Sequence, residues 1–108
     1  MNKKYRDTAT VARLIKAMTA IKSPLGRRIT NCINDMNEEG IEPTQVEIMI
    51  RLRDVRQESI SMKIKHMNMI QFIDANKIGK FMHYKVNHAR LNYIANTIKK
   101  FNHGYNQL

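Results

Sequence analysis

Apolar residues recur at spacings of three and four along several stretches of the chain, as they do in helices that bury one face. The first stretch starts at Thr8 and includes Val11, Leu14, Ile15, Met18 and Ile21. The second includes Ile29, Cys32, Ile33 and Met36. Ser23 followed by Pro24 predicts the start of this second helix, because serine caps helices and proline suits their first turn. Residues 37–40, which end in glycine, predict its end.

A short third helix and a longer fourth helix follow, separated by a tight turn. Thr44 and Glu47 have the spacing of a capping box, which predicts the start of the third helix. We expect its inner face to carry Val46, Met49 and Ile50. Residues 53–56 form the predicted turn, and the fourth helix begins near Gln57 with a buried stripe of Ile60, Ile64 and Met67. This order, with a polar and basic outer face on the fourth helix, predicts a helix-turn-helix.

After Ile70 the apolar period changes from that of a helix to that of a strand. Residues 81–86 alternate with period two, which predicts a strand, and residues 71–73 are its predicted partner. Residues 74–79 form the predicted loop between them. A last helix starts near His88 with an apolar stripe of Leu91, Ile94, Ala95 and Ile98, and we expect residues 102–108 to fray. The predicted fold class is α+β, mostly helical: a winged helix-turn-helix with a two-stranded β-hairpin wing.

The charge of the chain points to a polyanionic partner. The sequence has 19 Lys and Arg against 9 Asp and Glu, a net charge of +10. Such an excess favours nucleic acid first and an anionic membrane second. Residues 1–55 carry 10 basic and 7 acidic side chains, whereas residues 56–108 carry 9 basic and 2 acidic ones. The second half should therefore meet the polyanion. The length of 108 residues predicts a single domain over 1–108 with a helical core over 8–100.

Several stretches resemble the ArsR-type winged-helix repressors in order and spacing, over roughly residues 9 to 100. The proline-arginine entry to that family's second helix is matched by residues 23–29. Its recognition helix, opened by glutamine with a serine four residues on, is echoed by Gln57, Ser61 and Ile64. Its wing is echoed by residues 72–73, 79–80 and Tyr84. The resemblance implies a homodimer, paired through the first and last helices, whose two recognition helices enter successive major grooves of double-stranded DNA.

Three positions depart from the family's usual residues. Met62 and Lys63 stand where arginine and histidine are usual, and Gln71 stands where glycine usually precedes the first wing strand. We expect the departure at Gln71 to modify the turn and leave the fold intact. Two functions follow as expectations. The first is a homodimeric transcriptional regulator that binds specific DNA and represses or otherwise regulates transcription. The alternative is a winged-helix protein-interaction module that has lost base readout, which Met62 and Gln71 favour.

The candidate DNA contacts lie on the fourth helix and at the wing. Lysine neutralises phosphates, glutamine pairs with adenine, serine bonds phosphates or base edges, and methionine offers apolar contact to a thymine methyl group. On and just before the helix the candidates are Arg56, Gln57, Ser59, Ser61, Met62, Lys63, Lys65 and His66. At the wing they are Lys77 and Lys80, where a protruding positive tip can reach phosphate or the minor groove. A merely solvated helix face is the competing interpretation.

Other kinds of site find little support in the sequence. The histidines, His66, His83, His88 and His103, are scattered, and Cys32 is the only cysteine, so we expect no metal and no cofactor. No nucleophile lies beside a base and no glycine-rich phosphate loop is present, so we expect no enzyme. No apolar run approaches the roughly 18 residues of a membrane span. With a single cysteine, this predicts a cytoplasmic protein without membrane contact, whose effector is unknown.

Seven of the eight methionines divide into two predicted groups. Five of them occupy apolar positions and are predicted to fill the core: Met18, Met36, Met49, Met67 and Met82. Met62 and Met69 fit the buried stripe of the fourth helix less well. We expect these two to form a contact surface instead.

Overall fold

The computed structural model describes Ala12, Lys16, Thr19 and residues 22–106, with the backbone alone over 101–106. The predicted first helix, with Val11, Leu14, Ile15, Met18 and Ile21, has its apolar positions outside the described residues. Four helices and a hairpin follow in the order α1 (Pro24–Glu38), α2 (Gln45–Arg51), α3 (Gln57–Met69), β1 (Ile73–Ile78), β2 (Phe81–Val86) and α4 (His88–Asn106). None of the helices within these ranges is long and apolar enough to cross a membrane.

Helix α1 is the second predicted helix, and both of its ends are as expected. The Ser23 hydroxyl accepts a hydrogen bond from the Gly26 amide at 3.1 Å, with Pro24 in the first turn. The predicted inner stripe is buried, namely Ile29, Cys32, Ile33 and Met36. At the other end the Ile41 amide bonds to the Met36 carbonyl and the Gly40 amide to the Asn37 carbonyl. These two bonds form a Schellman motif, and Gly40 has the positive φ of 84° that the motif needs.

Helix α2 begins with the predicted capping box but turns a different face inward. Thr44 accepts from the Glu47 amide while the Glu47 carboxylate accepts from the Thr44 amide. The inner residue is Ile48, which is fully buried, and Leu52 after the helix is buried with it. The prediction of Val46 and Ile50 on the inner face is wrong, since these side chains are 58% and 60% exposed. They border an open groove together with Met49, Arg53, Val55 and Gln57.

Helix α3 follows a turn over residues 52–56, which completes the helix-turn-helix. Its predicted stripe of Ile60, Ile64 and Met67 is buried. The helix ends in a second Schellman motif, because the Phe72 amide bonds to the Met67 carbonyl and the Gln71 amide to the Asn68 carbonyl. Gln71 takes the glycine-like position with φ 66°. Gln71 thus adopts the left-handed conformation of Gly40, and the fold is intact as expected.

The wing is a longer hairpin than the sequence indicated. Strand β1 runs over Ile73–Ile78 and pairs antiparallel with β2 from Ile73 opposite Val86 to Ile78 opposite Phe81. The prediction of a loop over 74–79 is therefore wrong. The connection is the two-residue turn Gly79-Lys80, and Gly79 has φ 64°, which the first central residue of a type II′ turn requires. Tyr84 and Val86 are buried as expected, but Met82 is 40% exposed and does not fill the core.

Asn37 of α1 joins the wing to the helices. Its side-chain amide donates to the carbonyls of Ile41 and Tyr84, at 2.9 and 3.3 Å, and its oxygen accepts from the Val86 amide at 3.0 Å. On the same strand the Tyr84 amide donates to the Pro43 carbonyl at 2.9 Å. The hairpin base is thus held to α1 and to the segment before α2, so the wing has a fixed position relative to the helix-turn-helix.

Helix α4 closes the core at its first turns and extends beyond it. Asn87 caps it by accepting from the Arg90 amide at 2.9 Å. Ile94 is buried, Leu91 and Ile98 pack partly against the core, and Ala95 is exposed. The helix continues to Asn106, so the expected fraying from Asn102 is wrong. The predicted fold class is confirmed: a mostly helical winged helix-turn-helix with a two-stranded wing.

Candidate nucleic-acid interface

The outward side of α3 is a stripe of four residues opposite the buried one. The buried residues Ile60, Ile64 and Met67 are spaced by four and three. Glu58, Met62 and Lys65 each lie two positions before one of these buried residues, which places them about 200° around the helix. Met69 lies on the same side, one turn after Lys65. All four are exposed, with Met62 at 73% and Met69 at 72%. We call Glu58, Met62, Lys65 and Met69 the outward stripe.

Most of the predicted α3 contacts lie on the two flanks of this stripe. Gln57 and Ser61 form one flank, with Gln57 exposed and Ser61 half-buried. Ser59, Lys63 and His66 form the other flank, and all three are half-buried. Arg56 precedes the helix as its N-cap residue, is exposed, and makes no capping bond with its side chain. Of the eight predicted residues in this region, only Met62 and Lys65 belong to the outward stripe.

Sequence reasoning missed Glu58 as a candidate contact and gave Met69 only a general surface role. The spacing that places both residues on the outward side of α3 was nevertheless present in the sequence. Once the buried stripe is identified, the opposite face follows by moving two residues along the chain, since each residue turns the helix by 100°. Glu58 also has no salt-bridge or hydrogen-bond partner for its carboxylate within residues 22–100, whose side chains are described. A free carboxylate at the outward start of α3 is thus a feature of the site.

The tip of the wing carries both positive charge and apolar surface. Lys77 and Lys80 are exposed there as predicted, with Lys80 in the turn itself. Ile78 and Phe81 lie opposite each other as the last pair of the ladder, and they are 52% and 60% exposed. The tip therefore projects beyond the core, because the buried part of the hairpin ends near Tyr84.

Two salt bridges neutralise arginines outside α3 and the wing. Arg28 of α1 binds Asp54 in the turn through two bonds of 2.7 and 2.9 Å, which holds the pKa of Asp54 below its usual value. Arg51 binds Glu39 at 3.2 Å. Among the described side chains, the cations of α3 and the wing have no such partner. The cations without a salt bridge on or next to α3 and on the wing are Arg56, Lys63, Lys65, Lys77, Lys80 and Lys85.

The described side chains include no cluster of three or more metal-ligating groups. His83 contacts the Glu42 carbonyl through Nδ1 at 2.7 Å, and His88 contacts the Asn34 side-chain oxygen through Nε2 at 3.0 Å. Cys32 is buried in the core, where burial raises the pKa of its thiol. The side chain of His103 lies outside the described residues. These groups hold separate places in the fold and do not converge on a shared site.

Comparisons with known proteins agree with this geometry at the level of fold. No family model and no curated protein matches the sequence. Among solved structures, the chain is similar to an ArsR-like transcriptional regulator from Rhodococcus sp. RHA1, with a TM-score of 0.73 and 17% identity over 92% of this chain and 88% of that one. It is also similar to an ArsR family transcriptional regulator with a TM-score of 0.65 and 13% identity over 90% and 94% of the two chains. The resemblance inferred from the sequence is confirmed as an ArsR-like fold.

Proposed function

We propose that this chain is a homodimeric transcriptional regulator that binds specific double-stranded DNA through α3 and the wing. The observation that carries the proposal is the free basic face. Arg56 just before α3, Lys65 on its outward side, and Lys77 and Lys80 at the wing tip are exposed cations without salt-bridge partners among the described side chains, whereas Arg28 and Arg51 are neutralised. Unpaired lysine and arginine are what a phosphate backbone attracts. The regulators that share the fold support a role in transcription.

In this proposal α3 lies in the major groove and the wing reaches an adjacent backbone or minor groove. Arg56, Lys63, Lys65 and His66 contact phosphates beside the groove, and Lys77 and Lys80 do so from the wing. Gln57, Ser59 and Ser61 bond phosphates or base edges near the start of the helix, and Met62 offers apolar contact. Repression is the expected outcome, since a dimer on an operator blocks the promoter. No comparison supports the alternative of a protein-interaction module.

The proposal includes one winged-helix domain over residues 1–108, acting without catalysis or a cofactor. Its support is the sequence, in which no nucleophile lies beside a base and no glycine-rich phosphate loop is present. A cytoplasmic location is part of it, because the buried free Cys32 suits a reducing compartment. Dimerisation is assigned to the predicted first helix and α4, whose apolar stripe includes the exposed Ala95.

The test is selection of bound fragments from a random duplex library, followed by salt titration of affinity for the selected and the random duplexes. Wild-type protein should prefer the selected duplex by about a thousandfold or more. Lys65→Ala, Lys77→Ala and Lys80→Ala should each weaken binding to both duplexes alike and lower the salt slope by about one unit. Gln57→Ala should lower the preference for the selected duplex.

Lys99→Ala is the matched control, because Lys99 is an exposed lysine on α4 and carries the same charge. It should leave the salt slope unchanged. Equal affinity of wild-type protein for both duplexes, with the α3 and wing variants behaving like Lys99→Ala, would contradict the proposal.

A further inference from the structure

The N-terminal half of the outward stripe has an unusual chemistry for a surface expected to face DNA. Its first residue is a free carboxylate and its second is a methionine that is 73% exposed. Neither residue attracts phosphate. Base edges in the major groove, however, offer partners for both. A carboxylate accepts a hydrogen bond from the N4 amino group of cytosine, and an apolar side chain packs on the C5 methyl group of thymine.

The position of the two residues on α3 matches the part of a recognition helix that reads bases. In helix-turn-helix proteins the N-terminal residues of the recognition helix contact base edges. Glu58 is in the first turn of α3, and Met62 is one turn later on the same face. Their separation along the helix axis is about 6 Å, which is close to two base-pair steps of about 3.4 Å. One helix face can therefore place each residue against a different base pair.

We propose that Glu58 and Met62 determine the base specificity of this chain. Glu58 accepts a hydrogen bond from a cytosine amino group, and Met62 packs on the methyl group of a thymine one or two base pairs away. This inference rests on the proposed function, because it assumes that α3 enters the major groove. It assigns base readout to the N-terminal half of the outward stripe, and it leaves Gln57 and Ser61 on the flank to secondary contacts.

Because Glu58 is negatively charged, its substitution should have opposite effects on affinity and on base discrimination. An unpaired carboxylate beside phosphates repels DNA of any sequence, and only a cytosine at the right position offsets this repulsion. Glu58→Gln should therefore raise affinity for random duplex while lowering discrimination for cytosine. Loss of a lysine or of Gln57 gives no such pair of opposite effects.

The Met62 contact is tested by removing one methyl group from the DNA. A selected duplex is made with deoxyuridine in place of each enriched thymine in turn, which deletes only the C5 methyl group. At one position the wild-type protein should lose about fourfold in affinity, the factor that corresponds to one buried methyl group. Met62→Ala should bind the two duplexes equally.

Met69 provides the matched control, because it has the same side chain, the same face and 72% exposure, but it lies at the far end of α3. The Met69→Ala variant should lose as much affinity on the deoxyuridine duplex as the wild-type protein does, because the C-terminal part of a recognition helix lies away from the base edges. If no thymine position responds to deoxyuridine, or if Met62→Ala still responds, the Met62 assignment is overturned.

The Glu58 contact is tested by repeating the selection with Glu58→Gln. Enrichment of cytosine at one position should fall by about fivefold or more, and affinity for random duplex should rise. Asp35→Asn on α1 removes the same charge from an exposed site and should change neither. Unchanged cytosine enrichment would mean that Glu58 only interacts with the helix dipole, which overturns its assignment.

Different results would contradict the specificity assignment and the proposed function. If wild-type protein binds a selected duplex with a steep salt dependence but is indifferent to both substitutions, the specificity assignment is wrong and the proposed function stands. If wild-type protein shows no preference for any duplex and no salt-dependent binding, the proposed function is wrong and this inference falls with it.

Discussion

Two helices end in the same turn, one on a glycine and the other on a glutamine. Gly40 and Gln71 both hold the left-handed position of a Schellman motif, with φ 84° and 66°. A residue with a Cβ atom adopts this conformation at a cost of about 1 kcal/mol or more, whereas glycine adopts it freely. The end of α3 therefore stores strain that the end of α1 does not.

Replacing Gln71 by glycine should stabilise the protein. We expect the free energy of unfolding to rise by about 1 kcal/mol and the melting temperature by about 4–8 °C, measured by thermal and urea unfolding. Gln71→Ala separates the cause, because it removes the side chain and keeps the strain, and so should give no gain. Gly40→Ala should lower stability by a similar amount through φ alone, since a Cβ there meets nothing within 4 Å. A destabilised Gln71→Gly variant would contradict this account.

At the scale of the elements, the side chain of Asn37 forms the hydrogen-bonded link between the wing and α1, beside the apolar packing of the hairpin base in the core. Asn37→Ala leaves the Val86 amide without its acceptor at 3.0 Å and the Tyr84 carbonyl without its donor at 3.3 Å. An unsatisfied, part-buried group costs about 1–3 kcal/mol. We expect the free energy of unfolding to fall by about 2 kcal/mol, with faster amide exchange in β2.

Asn31→Ala is the matched control for this effect. Asn31 lies on the same helix, is exposed, and makes no side-chain bond within the described residues. Both substitutions improve helix propensity in the same way, so the difference between the two variants isolates the attachment of the wing. Equal stabilities of the two variants would show that Asn37 does not anchor the hairpin.

The elements differ in how much of their structure could be predicted from the sequence. The caps at Ser23 and Thr44 and the buried stripe of α3 were predictable, because each depends on residues within one turn of each other. The inner face of α2 was not, since Val46, Ile48 and Ile50 are all apolar and only packing against the rest of the fold selects Ile48. In a helix of seven residues, periodicity alone does not decide between neighbouring faces.

The length of the wing escaped prediction for a similar reason. Residues 74–77 carry turn-forming and polar types, yet they pair with residues 82–85 of β2. Their strand conformation depends on the partner strand and on the tight turn at Gly79, which are not local to them. The candidate site was predicted only in part, because it too depends on non-local contacts. Residue types identified the basic flank of α3, but the outward stripe needed the orientation of the helix in the fold.

At the scale of the whole molecule, the shape of the chain favours a dimer. Its principal extents are 49 × 27 × 23 Å, and α4 is a 19-residue helix whose described side chains contact the core through Leu91, Ile94 and Ile98. Ala95 lies on the apolar stripe of α4 and is nevertheless exposed. A symmetric pairing of two chains through this stripe would cover it.

We therefore expect sedimentation at micromolar concentration to give twice the chain mass of 12.7 kDa. Ala95→Glu should shift the protein to the monomer mass, because it places a charge in the paired stripe without changing the core. Asn96→Glu introduces the same charge at the next exposed residue, off the stripe, and should remain a dimer. A wild-type protein that sediments only as a monomer would exclude this assembly.

The burial of Cys32 makes the chain a reporter of its own opening. Cys32 is the only cysteine, it is 8% exposed, and burial raises the pKa of its thiol. The thiolate is the nucleophile that attacks a thiol reagent, so labelling requires that α1 first separates from the core. A duplex that binds only the folded chain slows this reaction by a factor of one plus the ratio of its free concentration to its Kd. A selected duplex at a hundred times its Kd should therefore slow the labelling of Cys32 about a hundredfold, and random duplex at the same concentration should slow it far less.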